Sequence, residues 1–540
     1  MKLRSLAITV GAVTVLGVGI APVQAGGLFL PGSGAVSTSR AGAAVASADD
    51  GEALGINPSG LAKTKGTTIT LSMAIIGYAM EFSRRGTYDP IASEALPYEG
   101  QAYPTVRNDP DLPLGIGKFQ PVPVFAVTTD LGGKVPNLRL AIGLFAPNAY
   151  PFRELCTVGS SGCKKYGFNG DFNEAPAPAR YDIVKQDAAV ILPSIAASYR
   201  ILPQLDVGAR FSAGFAHLKS TVAIWGNPAN TVEFVKEDAL FSVDAKDNFI
   251  PAFGFGVTYR PTPVIEIGAN YNSELSILAK GDATSVVGPN VGLNGMPITI
   301  GPSEDVRCAA GGTLEKQKVC VELALPMTAT IGGRYKFLDA EGKQRGDLEL
   351  DLGWENWSAD RATDYRVVAD AQIYLNGNPN LAIKDNIVSH GFKDTYNARL
   401  GGSYEIPVAE NAVVLRGGVG YDTAAAKTGW LRADVDGAAR TTVTVGAGWK
   451  AKRFKVDAGF GAILEGSPEN AGTCNPVEKD KAKLGCNGDG VEHAVGSPER
   501  QGPDPINPIL VPNAQIESPT NKGSFSSHYL MFMLGVSTWF

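Results

Sequence analysis

The end of the chain, Phe525–Phe540, contains no Asp, Glu, Lys or Arg, and it limits the fold more than any other stretch. Read as a strand, it places Leu530, Phe532, Leu534, Val536 and Thr538 on one face and Tyr529, Met531, Met533, Gly535, Ser537 and Trp539 on the other. A soluble sheet rarely exposes a face that apolar and then stops on a bare aromatic. A strand that faces lipid on one side and closes a barrel has both features. The expectation is therefore an all-β transmembrane barrel of the bacterial outer membrane.

The same period of two recurs along the chain. Leu348, Leu350, Leu352 and Trp354 alternate with Asp347, Glu349, Asp351, Gly353 and Glu355, and Val207, Ala209, Phe211 and Ala213 alternate with Asp206, Gly208, Arg210 and Ser212. A soluble sandwich shows such alternation in a few strands, but it seldom collects this many charges on one face. Counting alternating stretches gives fourteen antiparallel strands, near 67–84, 118–131, 135–147, 187–201, 203–219, 249–260, 262–280, 321–337, 346–360, 391–405, 411–423, 439–451, 453–465 and 525–540. Short turns alternate with long connections, as in bacterial barrels, whose long loops face outward.

The beginning of the chain reads as an export signal over residues 1–25: Lys2 and Arg4, an apolar run from Leu6 to Ile20, then Val23-Gln24-Ala25. The formal net charge of −6 argues against nucleic acid as a target. No later stretch offers 18 apolar residues without charge, so any crossing of a bilayer is by strands. Six cysteines form three close pairs, Cys156 with Cys163, Cys308 with Cys320 and Cys474 with Cys486, which in an oxidising compartment implies local disulfides. Their spacing does not suit a metal, and neither a metal nor a cofactor is expected. Catalysis would need a base, yet His217, His390, His493 and His528 come with no serine motif, so an enzyme is not expected.

Residues 26–66, ahead of the first strand, are rich in Gly, Ala and Ser. Interspersed Leu, Ile and Val suit a compact plug better than a solvated tail. The stretch from Arg40-Ala-Gly through Asp49-Asp50 to Asn57-Pro58-Ser-Gly-Leu61 resembles the N-terminal hatch of the FadL family of outer-membrane transporters of fatty acids and hydrocarbons. Leu325–Tyr335, Leu350–Ser358, Phe392–Tyr404 and Leu415–Asp422 extend the resemblance in the same order along the chain. Ser59 departs from it, standing where the family usually has Ala.

The resemblance implies a hatch at 26–66 inside a fourteen-strand barrel at 67–540. It further implies a kinked third strand that opens the wall sideways, with Gly143 and Pro147 as its irregularities and Asn57 and Pro58 as hatch residues near the opening. The expected ligand is a long-chain fatty acid, captured among the outward loops, passed to the lumen and released laterally. Aromatic or alkane hydrocarbons by the same route are the alternative, and a passive porin or loop-presenting barrel is a third reading. A fatty acid carboxylate needs a cation, and the inward-facing Arg210, Arg334, Lys336, Arg399 and Arg416 are candidates, each open to pairing with lumen acids. Leu28 and Phe29 join them as candidate substrate contacts. The remaining expected partners are outer-membrane lipid and lipopolysaccharide, with the protein acting as a monomer.

Overall fold

The computed structural model describes residues 28–540 except 113–114, 160–161, 167–171, 225–233, 290–291, 294–295, 384, 427–431, 436, 468, 471–483, 487–491 and 495–522. The export signal and Cys474 lie outside the described residues.

Fourteen antiparallel strands close a barrel. They are β1 (Thr68–Arg84), β2 (Phe119–Thr129), β3 (Leu138–Phe145), β4 (Lys185–Leu202), β5 (Leu205–Ile224) and β6 (Ala239–Tyr259). Next come β7 in two segments (Ile265–Asn272 and Leu275–Val287), β8 in two segments (Gln317–Leu325 and Thr328–Leu338), β9 (Gln344–Glu355) and β10 (Thr395–Val408). β11 (Asn411–Asp422), β12 (Arg440–Lys450), β13 (Phe454–Glu465) and β14 (Gly523–Trp539) complete the wall. Each strand pairs with its sequence neighbour, and β14 returns to β1 in one uninterrupted register from Thr68↔Trp539 to Arg84↔Gly523. Closure pairs both edges of the spanning strands along most of their length, as hydrocarbon demands of any β-structure. Among the described residues no helix is long and apolar enough to cross a membrane.

The alternation read in the sequence separates outside from inside. On β14, Phe532, Leu534 and Val536 point outward, whereas Tyr529, Met531 and Met533 are buried. On β9, Leu348, Leu350 and Leu352 are each about half exposed, whereas Asp347, Glu349 and Asp351 are at most 3% exposed. An acid row with that little exposure must be satisfied from within the barrel.

Three features differ from the sequence expectation. β3 is shorter than 135–147, running Leu138–Phe145, so Pro147 lies beyond it. The seventh strand extends to Val287 and is broken after Asn272, and the eighth is broken after Leu325, where Pro326 follows. The loops also carry strands of their own, such as Asp364–Leu375, which pairs with the outer end of β8, and Arg153–Gly159. Loop strands without a lipid-facing side give no two-period alternation to read.

Among the described residues two disulfides are present, Cys156–Cys163 in the β3–β4 loop and Cys308–Cys320, which ties the β7–β8 loop to β8. Each closes a short loop, for which the chain-entropy account gives about 2–3 kcal/mol. The barrel ladder is independent of them. The double variant Cys156→Ser/Cys163→Ser is therefore expected to keep a heat-modifiable barrel while its paired loop strands Arg153–Gly159 and Gly162–Lys165 become several-fold more sensitive to protease. Loss of the folded barrel would contradict this division between wall and loop.

Candidate functional site

The N-terminal segment supplies what the acid row lacks. The Arg40 guanidinium donates to Asp347 at 2.9 Å and to Glu349 at 3.0 Å. The backbone amides of Ala44 and Val45 donate to Asp351 (2.9 and 3.0 Å), and that of Ala46 donates to Glu349 (2.6 Å). On other sides of the lumen Lys455 pairs with Asp50 at 2.9 Å, Arg200 donates to the Ala62 carbonyl at 3.3 Å, and the Ser72 hydroxyl donates to Glu52 at 2.8 Å. Small residues permit this approach: a Cβ at Gly401 or Gly418 would run into the Arg40 backbone. Within the segment, a Cβ at Gly51 would strike the Thr70 side chain of β1, so small residues are needed on this side of the contact as well.

Asn57 and Pro58 lie against β5 and β6. The Asn57 amide donates to the carbonyls of Val45 (2.6 Å) and Val257 (3.3 Å), and its oxygen caps the turn Pro58–Lys63 by accepting from the Ser59 amide at 3.1 Å. Ser59, the departure from the family pattern, is satisfied by Asn57 at 2.8 Å and Thr258 at 2.7 Å. Sequence reasoning placed Asn57 beside the third strand. Its short side chain is instead used up on β6 and the segment's own turn, and the residue that meets Gly143 is Leu54. A Cβ on Gly143 would strike the Phe125 carbonyl oxygen and sit 2.8 Å from Leu54, so this glycine allows β3 to pack closely on both sides.

The wall breaks where β3 ends. β2 continues its pairing with β1 up to Phe119↔Gly77, but its pairing with β3 stops at Val124↔Phe145. The chain then leaves the wall and pairs again with β4 only at Arg153↔Gln186. Pro121 and Pro123 stand on β2 at this level and Pro193 on β4, and prolines cannot donate to a ladder. The departing chain is held from inside: the Leu30 amide donates to the Asn148 carbonyl at 2.6 Å and the Asn148 amide group donates to the Pro31 carbonyl at 2.7 Å.

Behind this break lies a cavity of about 210 Å³, lined by Phe29, Leu30, Phe145, Pro147, Leu192 and Arg210 among others. Arg210 is 5% exposed. It donates to the Leu54 carbonyl (2.6 Å) and to the Asn272 side chain (2.8 Å), and it stacks on the Phe145 ring at 4.7 Å, but its Nε has no partner and no carboxylate pairs with it among the described residues. The other sequence candidates are neutralised. Arg334 bonds Glu266 and Asp347, Lys336 bonds Glu266, Arg399 bonds Asp422 and Arg416 bonds Asp457. Phe29 lines the cavity and lies 5.6 Å from the Trp357 ring; Leu28 packs at the edge of the same apolar core.

The family model for outer-membrane transport proteins of the OMPP1/FadL/TodX type matches residues 18–483. The chain belongs to this family. Among solved structures it is similar to a Pseudomonas aeruginosa FadL homologue (13% identity, TM-score 0.62, covering 95% of this chain and 99% of the other). The Pseudomonas putida toluene transporter TodX is also similar (15%, 0.57, 95% and 99%), as is the CymD monoaromatic hydrocarbon channel (14%, 0.54, 94% and 98%). At these identities the likeness shows the fold. Comparison with curated proteins finds no match.

As a FadL/TodX-family barrel the protein is an outer-membrane transporter of hydrophobic compounds, not an enzyme. Sequence reasoning located the cations of its lumen but could not rank them, because pairing depends on strands far apart in sequence. It also missed Asn148, Asn272 and the wall prolines. The prolines had a readable signal: Pro121, Pro123 and Pro193 interrupt stretches that otherwise alternate as spanning strands.

Proposed function

We propose that the barrel takes up long-chain fatty acids, or amphiphiles with the same anionic head and apolar tail, and that Arg210 holds the carboxylate. The observation that carries this is the guanidinium of Arg210, which lines the cavity, is buried, and pairs with no acid among the described residues. A buried cation is costly unless a charge or several hydrogen bonds compensate it, and an arriving carboxylate would do both. The cavity is small. Roughly 150 Å³ suffices for benzene, so about 210 Å³ takes the head and the first part of a chain, leaving the tail to reach out toward the break beside Phe145.

Residues 26–66 act as a hatch, and the Leu30–Asn148 and Asn148–Pro31 hydrogen bonds fasten it to the departing third strand. Movement of this latch would free the side opening and let the tail enter the membrane, where its burial gains about 25 cal/mol per Å² over water. No energy source is needed: thermal hatch motion suffices, and consumption inside the cell sets the direction. The protein acts as a monomer set in lipid and lipopolysaccharide.

A cavity of this size also fits a single aromatic ring, in keeping with the toluene and monoaromatic channels of like fold. The two ligands are separated by charge. A hydrogen bond to a charged group contributes about 1.5–3 kcal/mol, so Arg210→Met is expected to weaken oleate binding to the purified protein roughly 10- to 100-fold. Methyl oleate and toluene should be affected less than two-fold. Unchanged oleate binding would exclude Arg210 as the anchor and favour the hydrocarbon reading.

A further inference from the structure

The wall carries a second break, on the other side of Arg210. The β6–β7 ladder runs from Ile267↔Tyr259 to Asn272↔Gly254 and resumes from Lys280↔Lys246 to Val287↔Ala239. Between these blocks residues 247–253 of β6 and 273–279 of β7 make no ladder pair with each other. Pro251 stands within the gap, and Pro326 interrupts β8 directly behind the interruption of β7. β6 is also irregular toward β5, with a register shift opposite Gly214 and Ala216. Prolines and interrupted pairing mark the β3 break in the same way, although here the ladder resumes in the same register.

Few bonds fasten this gap. At its lower end the Ser273 amide donates to the Phe253 carbonyl and the Phe253 amide to the Ser273 hydroxyl, both at 2.9 Å. At its upper end the Leu278 amide donates to the Asp247 carboxylate at 2.8 Å. Bonds that run through side chains can be released one at a time, whereas a spanning ladder opens cooperatively.

Both mouths suit an apolar passenger. On the lumen side Ala252, Ser273 and Leu275 line the same cavity that Arg210 faces, and Asn272 receives the Arg210 hydrogen bond. On the outer side Phe249, Phe253 and Leu278 are exposed. Just above, the register partners Lys246 and Lys280 are both exposed, which sets the level where hydrocarbon gives way to anionic headgroups. The gap therefore opens into the outer leaflet.

We infer that the barrel has a second lateral exit, between β6 and β7, through which the apolar tail of a ligand held at Arg210 leaves the same cavity. This rests on the reading that the cavity holds the transported ligand. The test fills each exit in the full-length protein and measures uptake of radiolabelled oleate by cells. Ala146→Trp fills the β3 break and Ser273→Trp fills the β6–β7 gap, with heat-modifiable surface protein measured in parallel. With two exits each single variant should retain a third to a half of wild-type uptake, and the double variant should fall more than ten-fold.

If Ala146→Trp alone is as low as the double variant and Ser273→Trp transports at the wild-type rate, the second exit is overturned while the cavity reading stands. If the double variant transports normally, lateral release itself is wrong. Should Ser273→Trp fail to fold, Ala252→Leu fills the same mouth from β6 and is held to the same outcomes.

Discussion

Deletion of residues 28–64 is expected to raise single-channel conductance in planar bilayers by more than ten-fold while leaving a folded, heat-modifiable barrel. The wall does not depend on the segment for closure, because β1 and β14 pair along their whole length without it. The lumen does depend on it. A fourteen-strand barrel is wide enough to need an internal obstruction, and residues 28–64 bond to inward-facing groups on several sides of the wall. Once the segment is gone, Asp347, Glu349 and Asp351 face water, which solvates them at little cost. A deletion that folds and conducts like the intact protein would mean that the segment does not obstruct the pore.

A single substitution should release much of the same constraint. Arg40→Met removes the cation between Asp347 and Glu349, both at most 3% exposed, and leaves two buried carboxylates side by side. Breaking a buried pair by removing one partner costs about 3–5 kcal/mol, comparable with the docking of a short segment. Arg40→Met is therefore expected to raise the open-channel fraction several-fold and to expose the segment to protease. Arg40→Lys keeps the charge but cannot bond both acids through one fork, and should lie between. The companion substitution Asp347→Asn tests the same link from the wall. Wild-type conductance and protease resistance in Arg40→Met would show that the segment is held elsewhere.

The sequence made the wall legible and left much of the site illegible, for physical reasons. Lipid on one side and a crowded lumen on the other impose a period of two, so the outward Leu348, Leu350 and Leu352 and the inward Asp347, Glu349 and Asp351 could be assigned from the residues alone. Partnership could not. Arg334 and Arg210 are both arginines at inward positions, yet one meets Glu266 and Asp347 from neighbouring strands and the other meets a carbonyl and an amide. That difference depends on which acids the register brings alongside. The partners of Asn57 were illegible for the same reason, since Val257 is 200 residues away in sequence. The breaks in the wall were half legible. Gly143 stays in regular register with Ala126 and Ser194, and Pro147 lies beyond the strand, whereas the strand prolines at 121, 123, 193 and 251 carried more information than the alternation around them suggested.

The central claim is that transport runs through a cavity in which Arg210 meets an anionic head. The most direct measurement compares initial uptake of radiolabelled oleate and of radiolabelled toluene by cells with equal surface amounts of wild-type, Arg210→Lys and Arg210→Met protein. The account predicts that Arg210→Met loses at least ten-fold in oleate uptake with toluene changed less than two-fold, and that Arg210→Lys recovers part of the oleate rate. Equal oleate uptake by wild-type and Arg210→Met, or parallel loss of both substrates, would contradict it.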